Sequence, residues 1–403
     1  MAASNEKSFI RRLLRARKTQ IAVGVLLVLL VGPKTCNYVI HRPTHVDPEH
    51  VEVREELHAR GRYLGERVGK LSTGEMPSFL GDQFKGEWLA VTYSMTAMAL
   101  ANLSFLYPDM VDEARATIDQ LARAMLEQDV RSFDAELWGE DPIDSLGGAN
   151  GHIGYLGHLE LVLLAQLYVG GNQEHIDLSR NVAIALHRRM LESPSLHAET
   201  YPGQTFVADN AVVVACLALA QPLFPDDTLD VSKAWTERAR KNFLDPATGL
   251  MVFRLTREGE VLEQSRGSGV AWGIFYLSYA DRAFAEQQYR KLHDTMASTA
   301  LLSLVHGIRE YPPGVEGTGD VDSGPVVMGL SPSGTGFALA GATIARDDEF
   351  KLELLRTAEL VGTSLHTDEG TRYLLAPLVG DAILLAMRTT TSWTTRFVAK
   401  TKE

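Results

Sequence analysis

Residues 153–167 read IGYLGHLELVLLAQL, a run apolar on nearly every side with one histidine, His158, close to its start. A helix with a single apolar stripe lies on a core, whereas one that is apolar nearly all round must be enclosed by other elements. Five further segments have this character: Trp88–Phe105, Val207–Ala220, Gly269–Tyr279, Gly334–Ile344 and Leu378–Met387. Charged amphipathic segments alternate with them: Met110–Leu126, Gln173–Leu191, Asp230–Phe243, Ala283–Met296 and Asp348–Val361, with Val51–Val68 completing the set. The alternation recurs every fifty to sixty residues or so, as a pattern rather than as repeated sequence. It predicts an all-α fold, an (α/α)6 barrel of six helical hairpins with the apolar set inside.

The chain has 403 residues and a formal net charge of −12. Phosphate binding needs a concentrated basic face, so nucleic acid is not expected as a partner. Only two cysteines occur, Cys36 and Cys216, and no disulfide framework is implied. Basic residues gather in Lys7–Lys18, and the apolar run Ile21–Val31 follows. A full membrane span takes about twenty apolar residues, so this run is short and needs flanking Lys and Arg to snorkel. No small-x-small cleavage site follows it; the chain continues Gly32-Pro33-Lys34-Thr35-Cys36. The sequence therefore divides into a basic tail at 1–18, a transmembrane or signal segment at 19–40 and a barrel domain at 41–403. The positive-inside rule puts the domain of an anchored protein on the non-cytoplasmic side. The rival expectation is a secreted or periplasmic domain released by signal cleavage.

In a ring of hairpins, the loops entering the inner helices share one mouth. The loop before the second inner segment carries Trp138, Glu140, Asp141 and the glycine-rich Gly147–His152. Tyr155 and His158 lie just inside that helix. Before the third come Glu199, Thr200 and Tyr201, and then Asp209 and Asn210, which either cap the helix or project into the barrel. Burying Asp209 within an apolar helix is costly without a partner or a task. Arg266 and Ser268 precede the fourth, and Glu316, Asp320 and Asp322 the fifth. Asp320 and Asp322 alone do not make a calcium loop, and such residues also tie loops by bonding backbone amides. HExxH, CxxC, P-loop and GxSxG signatures are absent, which leaves acid–base chemistry by carboxylate, histidine and tyrosine. No cofactor and no resident metal are expected.

At these positions the chain resembles the linalool dehydratase/isomerase family. The matching pieces fall in order: Trp138 with Asp141-Pro142-Ile143, then Tyr155–Leu159, then Pro202 with Phe206–Asn210. Asp245-Pro246 with Gly249, Ala271-Trp272 and Ala283–Glu286 follow, with a weaker echo at Asp320–Ala340. The resemblance covers about half the chain and implies an (α/α)6 barrel whose histidine is His158. Two cysteines of the family fall near Thr200 and Asp209, and a family tyrosine falls near Ser268. A hydroxyl and a carboxylate do not reproduce thiol chemistry, so an altered site is implied. The region of the family's N-terminal catalytic aspartate holds Glu75 and Asp82 here.

Three functions follow as expectations. The first is a membrane-tethered carbon–oxygen lyase or isomerase acting on a small apolar alcohol. In it His158, Asp209, Tyr201 and Glu199 are catalytic, while Trp138, Tyr155, Thr200, Asn210, Arg266, Ser268 and Asp322 bind substrate. The second is a carbohydrate-active hydrolase, epimerase or lyase with paired carboxylates, drawn from Asp209 with Glu199, Glu316, Asp320 or Asp322. The third is a non-catalytic binding module.

Overall fold

The computed structural model describes residues 37–72 and 82–394, together with Lys34 and Gly74; side chains in the second stretch are described from Phe84 onward. The basic tail, the apolar run Ile21–Val31, Cys36 and Glu75 lie outside the described residues.

Six inner helices form the ring: α2 (Asp82–Leu106), α5 (Ile153–Tyr168), α7 (Val207–Ala220), α9 (Gly267–Ala280), α11 (Pro332–Ala345) and α13 (Leu378–Arg388). Each packs on the next, and α13 returns to α2 to close the circle. Six outer helices cover them: α1 (Val51–Val68), α3 (Val111–Met125), α6 (Ile176–Leu191), α8 (Ser232–Asn242), α10 (Arg282–Met296) and α12 (Asp348–Gly362). The described chain is thus an (α/α)6 barrel. All sixteen residues of α5 are buried, as its composition requires. The outer helix α3 buries Ala114, Ile118, Leu121 and Met125, one helical stripe. The segment Phe84–Leu106 of α2 is long and apolar enough to cross a membrane, but it is enclosed by its neighbours as an inner helix must be.

Small residues set how closely the helices approach. A β-carbon on Gly341 of α11 would lie 2.3 Å from the Tyr289 ring of α10, so only glycine permits this packing. Caps fix several starts: Asp281 accepts from the Phe284 amide, Ser331 from Gly334 and Asp347 from Phe350.

Two features depart from the sequence reading. An additional helix, α4 (Gln128–Trp138), precedes the second inner helix where a loop is expected. The fold also carries short antiparallel strands. β1 (Thr205–Phe206), β2 (Arg254–Leu255) and β3 (Val261–Glu263) form one sheet, and β4 (Ala297–Ala300), β5 (Val305–Arg309) and β6 (Leu330–Ser331) a second. β7 (Ser364–Thr367) and β8 (Gly370–Tyr373) make a hairpin. β1 runs directly into α7 and β6 into α11, so the first two sheets frame the mouth and stiffen the loops that carry polar residues.

Candidate active site

Every inner helix enters the ring from the same end, and the first turns of α2, α5 and α7 deliver the principal groups. Glu87 lies in the first turns of α2, where the chain is otherwise turning apolar. Asp209 lies on the third residue of α7 and does not cap it; Phe206 occupies the cap position and its side chain makes no such bond. Instead the Asp209 carboxylate accepts a 2.9 Å bond from the Thr200 hydroxyl. Asp322 reaches the same space from the loop after β5.

These carboxyl groups feel one another. Burial and repulsion from Asp322, Asp209 and Asp134 lift Glu87 to about 8. Burial and the Asp322 charge lift Asp209 to about 7, against the lowering effect of Thr200. Enclosure by the mouth and the charge of Asp320 lift Asp322 to about 6, although its side chain is open to solvent, which limits the effect. Three acids that hold protons at different pH within one site form the arrangement that general acid–base chemistry uses.

Tyr201 stands over this cluster, buried, with its hydroxyl beside Glu87 and pushed well above the usual phenol range by burial and by the Glu87 charge. Gly154 makes room for it: a β-carbon there would meet the Tyr201 ring at 3.1 Å and the Thr200 methyl at 3.3 Å. Behind Glu87, the fully buried Asp134 of α4 meets His152 Nδ1 at 2.5 Å, and His152 Nε2 lies 3.3 Å from Glu140. Trp138 packs on the His152 ring with centroids 4.8 Å apart. His152 holds φ at +51°, a conformation that costs a non-glycine residue free energy and recurs at functional sites. The preceding Gly151 is forced by a close approach, because a β-carbon there would sit 1.9 Å from the Glu199 carbonyl oxygen.

Several buried polar atoms without a hydrogen-bond partner lie here: Trp88 Nε1, Asp134 Oδ1 and Trp138 Nε1. Native proteins rarely leave such groups unpaired, and a cluster of them marks the place where a polar ligand completes the bonding.

Other expected site residues serve the framework instead. His158 is 6% exposed, with Nδ1 held 2.7 Å from the Ser94 hydroxyl, and burial lowers its pKa to about 4. Its imidazole is neutral at pH 7, with Nδ1 bonded to the Ser94 hydroxyl. Tyr155 is fully buried and donates to the Met125 carbonyl. Asn210 clamps the Ala198 amide and carbonyl and also donates to Phe206 O, so it positions the Thr200 loop. Arg266 is paired with Glu310 and Asp320 and lies over the Phe253 ring, while Ser268 bonds the same Glu310. Asp320 also accepts from the Asp322 and Ser323 amides, so it fastens its loop. Glu199 turns outward to accept from Gly203 N. The side chains of Asp82 and Glu75 lie outside the description, so that counterpart is not placed.

Sequence reasoning passed over Glu87, Asp134 and the buried Glu310. The signal for Glu87 was present: a carboxylate at the opening of an otherwise apolar inner helix, the argument that singled out Asp209.

The ring and its mouth define a helical-barrel protein with a carboxylate-lined opening. No protein-family model matches the sequence. Among solved structures the chain is similar to one described as an unsaturated glucuronyl hydrolase specific for heparin. The two share 12% identity with a TM-score of 0.53, over 87% of this chain and 98% of that one. At that identity the likeness establishes the fold.

Proposed function

We infer that the protein is a carbohydrate-active enzyme, a hydrolase working by general acid–base catalysis at the barrel mouth. The observation that carries this reading is the set Glu87, Asp209 and Asp322, raised to about 8, 7 and 6, among unpaired buried polar atoms and the indoles Trp88 and Trp138. Indole faces stack on sugar rings, and carboxyl pairs cleave glycosidic bonds. Protonated Asp209 gives its proton to the leaving oxygen while ionised Asp322 takes one from the attacking water. Glu87 and Tyr201 orient the ring hydroxyls. The structural neighbour supports this class, since its described activity is of the same kind.

Its substrate class is not carried over. Arg266, whose charge reaches Asp322, is already neutralised by Glu310 and Asp320. A mouth with this negative balance favours a neutral sugar over a uronate. The test compares neutral and unsaturated-uronyl glycosides with the wild type and Asp209→Asn. Cleavage of a neutral glycoside, reduced by about 10²–10⁴-fold in the variant, is the expected outcome. Turnover unaffected by Asp209→Asn removes the reading.

A second reading, dehydration or isomerisation of an apolar alcohol, draws on an apolar cavity that adjoins the mouth.

A further inference from the structure

A cavity of about 1160 Å³ opens between α11, α12 and α13, under the sheet β4–β6. Its walls are mostly hydrocarbon, with Phe337, Leu339, Leu354, Ile383 and Leu384 among them, and with Asp320 and His306 among the ionisable members. At its inner end it reaches Trp88 and Val321, the sequence neighbours of Glu87 and Asp322. At its outer end it is rimmed by Leu301, Val327, Met328, Val361 and Leu375, which are 54%, 58%, 64%, 53% and 64% exposed. Beyond the rim, the β4–β5 turn holds out Leu302 at 99% and Leu304 at 60%. That turn keeps three successive non-glycine residues, Leu301, Leu302 and Ser303, at φ +50°, +56° and +64°. Each left-handed residue costs free energy, yet the result is a leucine tip aimed away from the core. Contiguous exposed apolar surface of this kind marks a docking face.

A second observation identifies what lies against it. Lys34 donates to the Val361 carbonyl on the rim, and Asn37 to the Ser364 carbonyl beside it. The sequence immediately before Lys34 is the apolar run IAVGVLLVLLV at 21–31, with the cationic RRLLRARK at 11–18 beyond it. The leucine tip, the cavity entrance and the attachment point of a lipid-seeking segment thus share one face of the barrel. Basic residues outside such a segment attract anionic headgroups.

We propose that this face rests on a lipid bilayer and that the cavity takes up the aliphatic chain of a membrane lipid, with its polar end toward the carboxylates. The rival occupant is residues 21–31 of the same chain, and the test below separates the two. A single extended hydrocarbon chain enters freely. The proposal stands without the glycoside reading; where both hold, the substrate is a sugar carried on a lipid.

The test uses the full chain in vesicles of phosphatidylcholine and anionic phosphatidylglycerol whose acyl chains end in a diazirine, irradiated and mapped by peptide mass spectrometry. Labels are expected on wall peptides covering 325–339 and 378–384 as well as on 21–31. Leu302→Asp with Leu304→Asp, which removes the apolar tip, cuts wall labelling by roughly tenfold or more, and separately Leu384→Trp, which narrows the cavity, lowers labelling of the 378–384 wall. The rim pair is solvent-exposed, so its replacement leaves folding intact and keeps the test valid if the tryptophan variant fails to fold. Labelling confined to 21–31, or wall labelling that survives both changes, overturns the proposal. Because the readout is covalent labelling, an inactive glycosidase assay leaves this result untouched.

Discussion

Exchanging Glu87 for glutamine keeps the shape of the side chain and removes its proton equilibrium. In the unfolded chain the carboxyl titrates at its ordinary value of 4.5, and in the folded protein at about 8. Between those values the folded state holds a proton that the unfolded state has released, so stability falls as pH rises through the window. The rise from 4.5 to about 8, at about 1.4 kcal/mol per tenfold, sets a ceiling of about 5 kcal/mol. Relaxation of the mouth and entry of water when the carboxyl ionises bring the expected loss nearer 2 kcal/mol. A chain of 403 residues unfolds with an entropy of roughly 0.8 kcal/mol per kelvin, so 2 kcal/mol corresponds to about 2–3 °C in Tm. Glutamine mimics the protonated acid and avoids that loss. Scanning calorimetry of both proteins from pH 5 to pH 9 should show equal Tm at the acid end and a variant advantage of about 2–3 °C at the alkaline end. A difference that does not change with pH, or a variant less stable at pH 9, refutes the burial and repulsion assigned to Glu87.

Asp322→Asn removes a charge that raises Asp209, so the Asp209 pKa falls from about 7. Carboxyl-carbon NMR titration of Asp209 in the wild type and the variant reads the change directly; a pKa that stays in place or moves up contradicts the coupling. Arg266→Ala strands the fully buried Glu310 without its 2.6 Å partner and should cost about 3–5 kcal/mol in urea unfolding; a loss below 1 kcal/mol would mean that the pair is not desolvated. Asn210→Ala removes three bonds that hold the loop of Thr200, costing about 2–3 kcal/mol and loosening Asp209, with activity falling more than stability alone explains. Gly151→Ala, which drives a methyl into the Glu199 carbonyl, should disturb the mouth at residues 147–152 and 199 while the helical content seen by circular dichroism stays constant.

The helices were legible because burial leaves a mark on composition. The inner segment at Val207–Ala220 and the outer one at Val51–Val68 coincide with the observed helices residue for residue. Others shift by a few residues at their ends, where caps such as Ser331 and Asp281 rather than apolar periodicity set the boundary. Helix α4 escaped notice because only Val130, Phe133 and Asp134 of its eleven residues are buried, too weak a stripe to stand out between glycine-rich turns. The two- to five-residue strands escaped for the same reason: alternation cannot register over so short a span.

The polar residues of the mouth divide differently. Their gathering at one end followed from sequence alone, since hairpins of similar length return the chain to the same rim. Which of them face the opening and which brace it depended on partners far away in the chain. Arg266 is a clamp on Glu310 because β5 brings that residue beneath it, and His158 takes its orientation from Ser94 of α2, which holds its ring nitrogen. Asp209 turns into the mouth because Thr200, nine residues earlier, meets it there, and Glu87 joins it only once α2 closes the ring. Composition and period therefore fixed the barrel, because hydrophobic burial is additive along a helix. The tertiary structure alone decided the chemistry, because hydrogen bonds and charges act between particular atoms at particular distances.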